Sequence, residues 1–88
     1  MTRAQEIRDE CLFQLYGGRP LPHKLEKLRK TAHRQGFGYT ETEIRAELDF
    51  LCGQGLAETV RDEATGEHLW KITSKGVLNY EEQERDTG

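Results

Sequence analysis

Hydrophobic positions in the first half of the chain recur every three or four residues, which is the period of an amphipathic helix. Three such helices are predicted, over residues 3–16, about 22–35 and about 40–53. Glycines follow each segment and favour its end there. The apolar stripes consist of Ala4, Ile7, Cys11 and Leu15, then Leu25, Leu28 and Ala32, then Ile44, Leu48 and Leu51. Together the stripes predict one small helical core.

Two sequence features mark where the second and third helices begin. Pro22 suits the first turn of a helix, where its missing N–H group would have no partner in any case. Thr40 and Glu43 have the spacing of a capping box, in which each side chain accepts the other residue's free backbone N–H. The capping box predicts Thr40 as the N-cap residue of the third helix.

The second half of the chain contains two short segments that read as a β-hairpin. Residues 56–61 and 68–72 are the predicted strands, and the turn-forming sequence Asp-Glu-Ala-Thr-Gly-Glu separates them. Trp70 and Ile72 fall on one face of the second strand, because successive side chains of a strand point to opposite faces.

A short helix is predicted after the hairpin. Thr73 or Ser74 supplies its N-cap, and the pattern extends to about residue 84. Residues 85–88 are expected to fray. The whole is predicted to be a single domain over residues 1–84.

Positive charge is concentrated in one segment of an otherwise acidic chain. The 88 residues carry a net charge of −3. Residues 19–35 hold six basic side chains against one acidic, a net of +5, whereas residues 41–88 hold five against twelve, a net of −7. A basic segment on an acidic protein indicates a partner that carries negative charge.

The basic segment coincides with the second predicted helix. Opposite its apolar stripe lie His23, Lys27, Lys30 and Arg34, at spacings of four, three and four. At 100° per residue these positions share one face and form a continuous stripe about three turns long. A DNA backbone or an acidic protein surface would satisfy such a stripe. The alternative is an ordinary solvated helix face.

No pattern in the sequence indicates catalysis, a metal or a cofactor. The three histidines and the cysteines Cys11 and Cys52 lack the spacing of a metal-ligand set, and no glycine-rich phosphate loop occurs. We therefore expect a protein that is not an enzyme and that needs no cofactor, metal or small-molecule substrate. No apolar run approaches the roughly 18 residues of a membrane span, and the first 20 residues lack a secretion signal. A cytoplasmic protein without a membrane partner is expected.

Two segments of the sequence resemble the winged helix-turn-helix superfamily. Residues 43–59, EIRAELDFLCGQGLAET, are similar to its recognition helix running into the first wing strand. Residues 65–80, TGEHLWKITSKGVLNY, are similar to the far wing strand and the Y-x-x-T-x-K-G ending common in bacterial regulators. The matching residues of that ending are Trp70 in the tyrosine place, Thr73, Lys75 and Gly76.

The resemblance covers about residues 20–80 and implies an α+β, mainly α, fold: three helices, a two-stranded wing and a short C-terminal helix. It also implies duplex DNA binding by a small regulator of bacterial or phage type. In such proteins the third helix enters the major groove, the wing lies beside the backbone, and the helix before the reading helix crosses the backbone.

The outward face of the third helix is small and slightly acidic. Opposite its apolar stripe lie Thr42, Ala46, Asp49 and Gly53, with Arg45 on one shoulder. Glu43 belongs to the capping box, so part of the negative charge of this helix serves the helix itself. The resemblance makes Thr42, Arg45, Ala46 and Asp49 the candidate DNA-contacting residues of this helix.

The wing departs from the DNA-binding pattern because its tip is acidic. Asp62, Glu63 and Glu67 lie there, and no lysine or arginine occurs between Arg61 and Lys71. Phosphate neutralisation supplies most non-specific affinity for DNA, so an acidic wing opposes it. Two functions therefore stay open: a DNA-binding regulator or accessory factor, and a winged helix used as a protein–protein interaction module.

Two aromatic residues of the first helix lack an inward role: Phe13 lies far from its apolar stripe, and Tyr16 lies near the stripe on its outer side. Phe13 and Tyr16 are candidate residues of a homodimer interface, because winged-helix regulators commonly pair through their terminal helices. The alternative is that Phe13 covers the core beneath the last helix.

Overall fold

The computed structural model describes residues 2–87, and it consists of four helices and one antiparallel hairpin. The elements in chain order are α1 (Arg3–Gly17), α2 (Leu25–Arg34), α3 (Glu41–Gly53), β1 (Ala57–Arg61), β2 (His68–Ile72) and α4 (Ser74–Thr87). This is the mainly α winged helix-turn-helix architecture that the sequence predicts.

The caps of the helices explain most of their boundaries. Thr40 accepts a hydrogen bond from the N–H of Glu43, and the Glu43 carboxylate accepts one from the N–H of Thr40, so the predicted capping box is confirmed. Gly36 and Gly55 follow the ends of α2 and α3 with φ angles of 93° and 76°, which residues other than glycine rarely adopt. Both helices end where the glycines require it.

The second helix begins later than predicted, at Leu25 instead of near Pro22. Residue His23 forms an isolated antiparallel bridge with Trp70, in which each residue donates its N–H to the other's carbonyl oxygen, at 2.7 and 2.9 Å. This pairing requires extended backbone, so Pro22 lies outside the helix and Lys24 is the N-cap residue. The sequence alone does not indicate this long-range bridge.

The hairpin has the predicted strands, and its inner face covers the helices. Ala57 pairs with Ile72 and Arg61 pairs with His68 at the two ends of the register. Ala57, Trp70 and Ile72 are buried on the side that faces the core. The prediction that Trp70 and Ile72 share one face of the strand is confirmed, and that face is buried.

One hydrophobic core joins all the elements up to β2, and residues of α4 pack against it. Its largest fully buried side chains come from α1, α2 and α3, and they are the stripe residues predicted from the sequence: Ile7, Leu15, Leu28, Ile44 and Leu48. Tyr39, in the connection between α2 and α3, is also buried. No helix among residues 2–87 is long and apolar enough to cross a membrane.

The Thr-x-Lys-Gly segment locks α4 onto the turn between α3 and β1. The Thr73 hydroxyl donates to the Gly55 carbonyl oxygen at 2.6 Å and accepts from the N–H of Gly76 at 3.0 Å. The Lys75 ammonium donates to the Gln54 carbonyl oxygen at 2.9 Å. A Cβ atom on Gly76 would lie 2.1 Å from the Leu56 carbonyl oxygen. The motif therefore serves the fold: it fixes where the wing leaves the third helix.

The last helix continues to Thr87, beyond the expected end near residue 84. No proline or glycine occurs between the expected and the observed ends to stop it. Gly88 lies outside the described residues, and fraying of the terminal turn stays a prediction.

Candidate nucleic-acid interface

A groove of about 720 Å³ lies between α2, the first half of α3 and the wing. Its lining is formed by Lys24, Leu25, Glu26, Lys27, Lys30, Thr31, Arg34, Glu41, Arg45, Glu67, His68 and Trp70. The fold thus brings one side of the basic stripe of α2 together with two side chains of α3 and with the far wing strand.

Three basic side chains of α2 carry the positive charge of this groove that no carboxylate pairs with, since Lys24 and Arg45 form ion pairs. Lys27, Lys30 and Arg34 are exposed, and none of them forms an ion pair with any residue whose side chain the structure describes. The one carboxylate of α2, Glu26, is bound instead by Arg29 through two hydrogen bonds. The stripe is therefore available to a negatively charged partner.

His23 does not belong to this surface, so the prediction that it continues the stripe is wrong. The residue precedes α2, is only 7% exposed and pairs with Trp70. Neither ring nitrogen has a hydrogen-bond partner among the described residues, and a Cβ atom on Gly18 would overlap the ring. Burial first, and then the positive charge of Lys27, lower the pKa of His23 below its ordinary value near 6.5. His23 is a neutral structural residue at the base of α2.

Arg45 is the one predicted contact residue of α3 that lines the groove, and Glu41 of the same helix lines it as well. Its guanidinium lies 5.8 Å from the centre of the Trp70 ring and 3.9 Å from the Glu41 carboxylate. The other predicted contact residues of α3 are exposed but lie outside the groove lining; they are Thr42, Ala46 and Asp49. Four of the predicted residues therefore line one groove: Lys27, Lys30, Arg34 and Arg45. The other three lie on the adjoining face of α3.

Arginine side chains offset most of the negative charge of α3. Three of its four carboxylates form ion pairs, and among the described residues only Asp49 has none. The pairs are Glu43 with Arg3, Glu47 with Arg8 and Glu41 with Arg45. The exposed arginine and the hydrogen bond from Thr40 lower the pKa of Glu43 to about 2, so that carboxylate is charged at neutral pH. The outer face of α3 is closer to neutral than its composition indicates.

One carboxylate of the acidic wing forms an ion pair with a residue of the basic groove. Glu67 lies 3.6 Å from the ammonium of Lys24, a groove residue that the sequence analysis did not single out. Asp62 accepts the N–H of Ala64 and so stabilises the turn, whereas Glu63 is exposed at its tip. The carboxylate of Glu67 therefore competes with any anion for Lys24. The sequence offers no signal for this contact, because it joins residues far apart in the chain.

Phe13 and Tyr16 both contact the last helix of the same chain. The Tyr16 ring stacks on Tyr80 at 4.3 Å, and its hydroxyl donates to Glu81 at 2.8 Å. The Phe13 ring lies 6.5 Å from Tyr80 and stays 50% exposed. Contacts within the chain therefore account for Tyr16, whereas half of Phe13 remains free for a partner. The homodimer stays a prediction.

The cysteines have the properties of packing residues. Burial raises the pKa of Cys11 to about 12, and the pKa of Cys52 is also raised, chiefly by burial. Both thiols are therefore protonated at neutral pH, which makes them poor nucleophiles and poor metal ligands. No group of His, Cys, Asp and Glu side chains that could hold a metal is present between residues 2 and 87.

The chain matches no protein-family model and no curated protein. Among solved structures it is similar to a mutant of Lactococcus lactis ZitR, with a TM-score of 0.72 and 18% sequence identity. The similarity covers 90% of this chain and 49% of the ZitR chain, so this chain spans about half of that protein's length. At this level of identity the likeness concerns the fold, and it agrees with the winged-helix architecture described above.

Proposed function

We propose that this chain is a winged-helix protein that binds duplex DNA and acts as a small regulator or DNA-associated accessory factor of bacterial or phage type. The observation that carries the proposal is the row of unpaired cations on α2, Lys27, Lys30 and Arg34. In a winged helix, the helix before the recognition helix crosses the DNA backbone. These cations lie on the corresponding helix of this chain, α2. Backbone contacts position such a protein, and here they come mainly from α2.

The surface of α3 supports close approach to a DNA groove. Its outward residues Thr42, Ala46 and Gly53 are small, and its carboxylates are largely paired with arginines. Arg45 is the one cation that α3 adds beside the stripe. With so few basic contacts, binding should be weak, and its salt dependence should be shallow, because each neutralised phosphate contributes only about 0.9 to the slope.

The experiment that tests this proposal measures binding to a short random-sequence duplex at low salt by fluorescence anisotropy. Wild-type protein is expected to bind, and the double charge reversal K27E/K30E is expected to abolish binding while the circular dichroism spectrum is unchanged. Both side chains are exposed, so the fold should tolerate their replacement. Arg85→Glu is the matched control, because it reverses one exposed cation on α4, outside the groove. Equal binding by K27E/K30E and wild type would remove α2 as the DNA-contacting element.

A second function is favoured by one specific observation, the acidic wing tip. Asp62, Glu63 and Glu67 would face the DNA backbone in the usual winged-helix arrangement. In a protein-interaction module without DNA binding, the stripe of α2 would instead bind an acidic protein surface. Absence of any DNA binding by the wild type at low salt would favour this second function.

A further inference from the structure

A second groove of about 460 Å³ lies between α1, the loop after α2 and α4, and no residue lines both it and the basic groove. It is lined by Glu6, Asp9, Glu10, Leu12, Phe13, Phe37, Tyr39, Tyr80, Gln83 and Glu84. Aromatic rings therefore form its walls, and carboxylates surround them. We call it the aromatic groove.

The walls of the aromatic groove are two stacked pairs of rings. Phe37 and Tyr39 stack at 5.2 Å on one side, and Phe13 stacks with Tyr80 at 6.5 Å on the other. Phe13 and Phe37 remain 50% and 39% exposed. Large aromatic surface held open in a concave site is typical of a binding surface for another molecule.

The aromatic rings that lack a cation are all in this groove. Each of the other described phenylalanine, tyrosine and tryptophan rings has an arginine guanidinium over it, including Tyr39 of the same groove. These pairs are Arg3 with Tyr39, Arg8 with Phe50, Arg19 with Tyr16 and Arg45 with Trp70. Among the side chains that the structure describes, only Phe13, Phe37 and Tyr80 have no such partner. The three rings without an arginine partner therefore line one groove.

The rim of the groove is negative and carries no cation of its own. Glu6, Asp9 and Glu10 form no ion pair with any described side chain. The last two accept hydrogen bonds only from glutamine amides: Asp9 from Gln5, and Glu10 from Gln14 and Gln35. Burial first, and then neighbouring carboxylates, raise the pKa of Tyr39 and Tyr80. The groove therefore attracts positive charge.

We propose that the aromatic groove is a docking site for a cationic amphipathic segment of a partner protein, with lysine or arginine side chains against the carboxylates and an apolar side chain between the rings. Charge complementarity and cation–π contact both favour this occupant. A second copy of this chain placed on a two-fold axis here would bring the carboxylates of the rim against their own copies. That arrangement is disfavoured by like-charge repulsion.

The probe for this proposal is a synthetic amphipathic peptide of about 14 residues, roughly four helical turns, with leucine on one face and lysine on the other. Titration into ¹⁵N-labelled wild-type protein is expected to shift amide signals of residues 6–13, 37–39 and 80–84. The same peptide with glutamate in place of lysine is expected to leave them unchanged. Both results follow from a groove that requires apolar contact and positive charge together.

Two variants test the two parts of the site. E6K/D9K reverses the rim, and Phe13→Ser removes one wall; each is expected to weaken peptide binding at least about tenfold. Glu82→Lys is the matched control, because it reverses an exposed carboxylate of α4 that does not line the groove. Circular dichroism checks that each variant folds.

Several outcomes would overturn the proposal. These are equal binding by E6K/D9K and Glu82→Lys, equal binding of the glutamate peptide, or no shift of the groove signals at millimolar peptide. Sedimentation supplies one more: a wild-type dimer that E6K/D9K converts to monomer would make a second copy the occupant. None of these readouts involves DNA, so they are independent of the proposed function.

Discussion

The observed role of His23 differs from the role that its position in the sequence predicts. Its position fits the spacing of the basic stripe, but the ring is buried and both nitrogens lack partners among the described residues. Helical periodicity cannot reveal this, because the bridge to Trp70 that stops the helix is a long-range contact. The exposure of Lys27, Lys30 and Arg34 could be predicted, because they lie opposite an apolar stripe that the sequence shows plainly.

The burial of His23 predicts a pH dependence of stability. Its pKa is lowered on folding, so below the ordinary value near 6.5 the unfolded chain binds more protons than the folded chain. The free energy of unfolding should therefore be fully retained above about pH 6.5 and fall as the pH drops towards the folded-state pKa. Urea denaturation at a series of pH values, monitored by the fluorescence of Trp70, measures this free energy.

The comparison that isolates His23 uses two substitutions. His23→Gln should lose most of the pH dependence that sets in below about pH 6.5, because glutamine does not titrate. His33→Gln changes an exposed histidine of α2 and should retain it. A wild-type slope that survives in His23→Gln would assign the effect to other groups.

Gly76 is a second residue whose role is set by one close contact. Gly76→Ala would place a Cβ atom 2.1 Å from the Leu56 carbonyl oxygen and 2.7 Å from Cγ1 of Ile72. The overlap should lower the free energy of unfolding by about 1–3 kcal/mol, measured by chemical denaturation. Gly53→Ala is the control, because no atom lies within 4 Å of its added Cβ and its exposed position is helical. Equal stability of Gly76→Ala and wild type would show that α4 can shift without cost.

At the scale of elements, the helices were easier to predict than the surfaces they form. The capping box and the apolar stripes define α3 because they depend on neighbours three and four residues away. The ion pairs of Glu43 with Arg3 and Glu47 with Arg8 join residues about 40 positions apart and have no local signal. For this reason the sequence overstates the acidity of α3.

The contact between the wing and Lys24 predicts that neutralising two carboxylates of the wing will strengthen DNA binding to different degrees. Glu67→Gln removes a repulsive charge and also releases Lys24, which lies 3.6 Å away, whereas Glu63→Gln removes charge at the wing tip alone. Both should strengthen DNA binding, and Glu67→Gln should do so more, by about tenfold against a few-fold for Glu63→Gln. Anisotropy titrations on one duplex at one salt concentration compare them. A weaker affinity for Glu67→Gln would mean that its ion pair holds Lys24 in the binding position.

At the scale of the whole molecule, unpaired positive and negative side chains line two separate grooves. The basic groove contains most of the unpaired cations of α2, and the aromatic groove contains unpaired carboxylates of α1. The net charge of −3 conceals this division. The charge count along the sequence located the basic segment, but the aromatic groove could not be predicted, because α1, the loop after α2 and α4 meet only in the folded chain.

The central claim is that cations of α2 neutralise DNA phosphates, and the salt dependence of binding tests it most directly. Each neutralised phosphate contributes about 0.9 to the slope of log K against log salt concentration, so three or four contacts predict a wild-type slope of about −3. Lys30→Gln should make that slope shallower by about 0.9, whereas Arg85→Gln, outside the groove, should leave it unchanged. A slope that is the same in wild type and Lys30→Gln would contradict the claim.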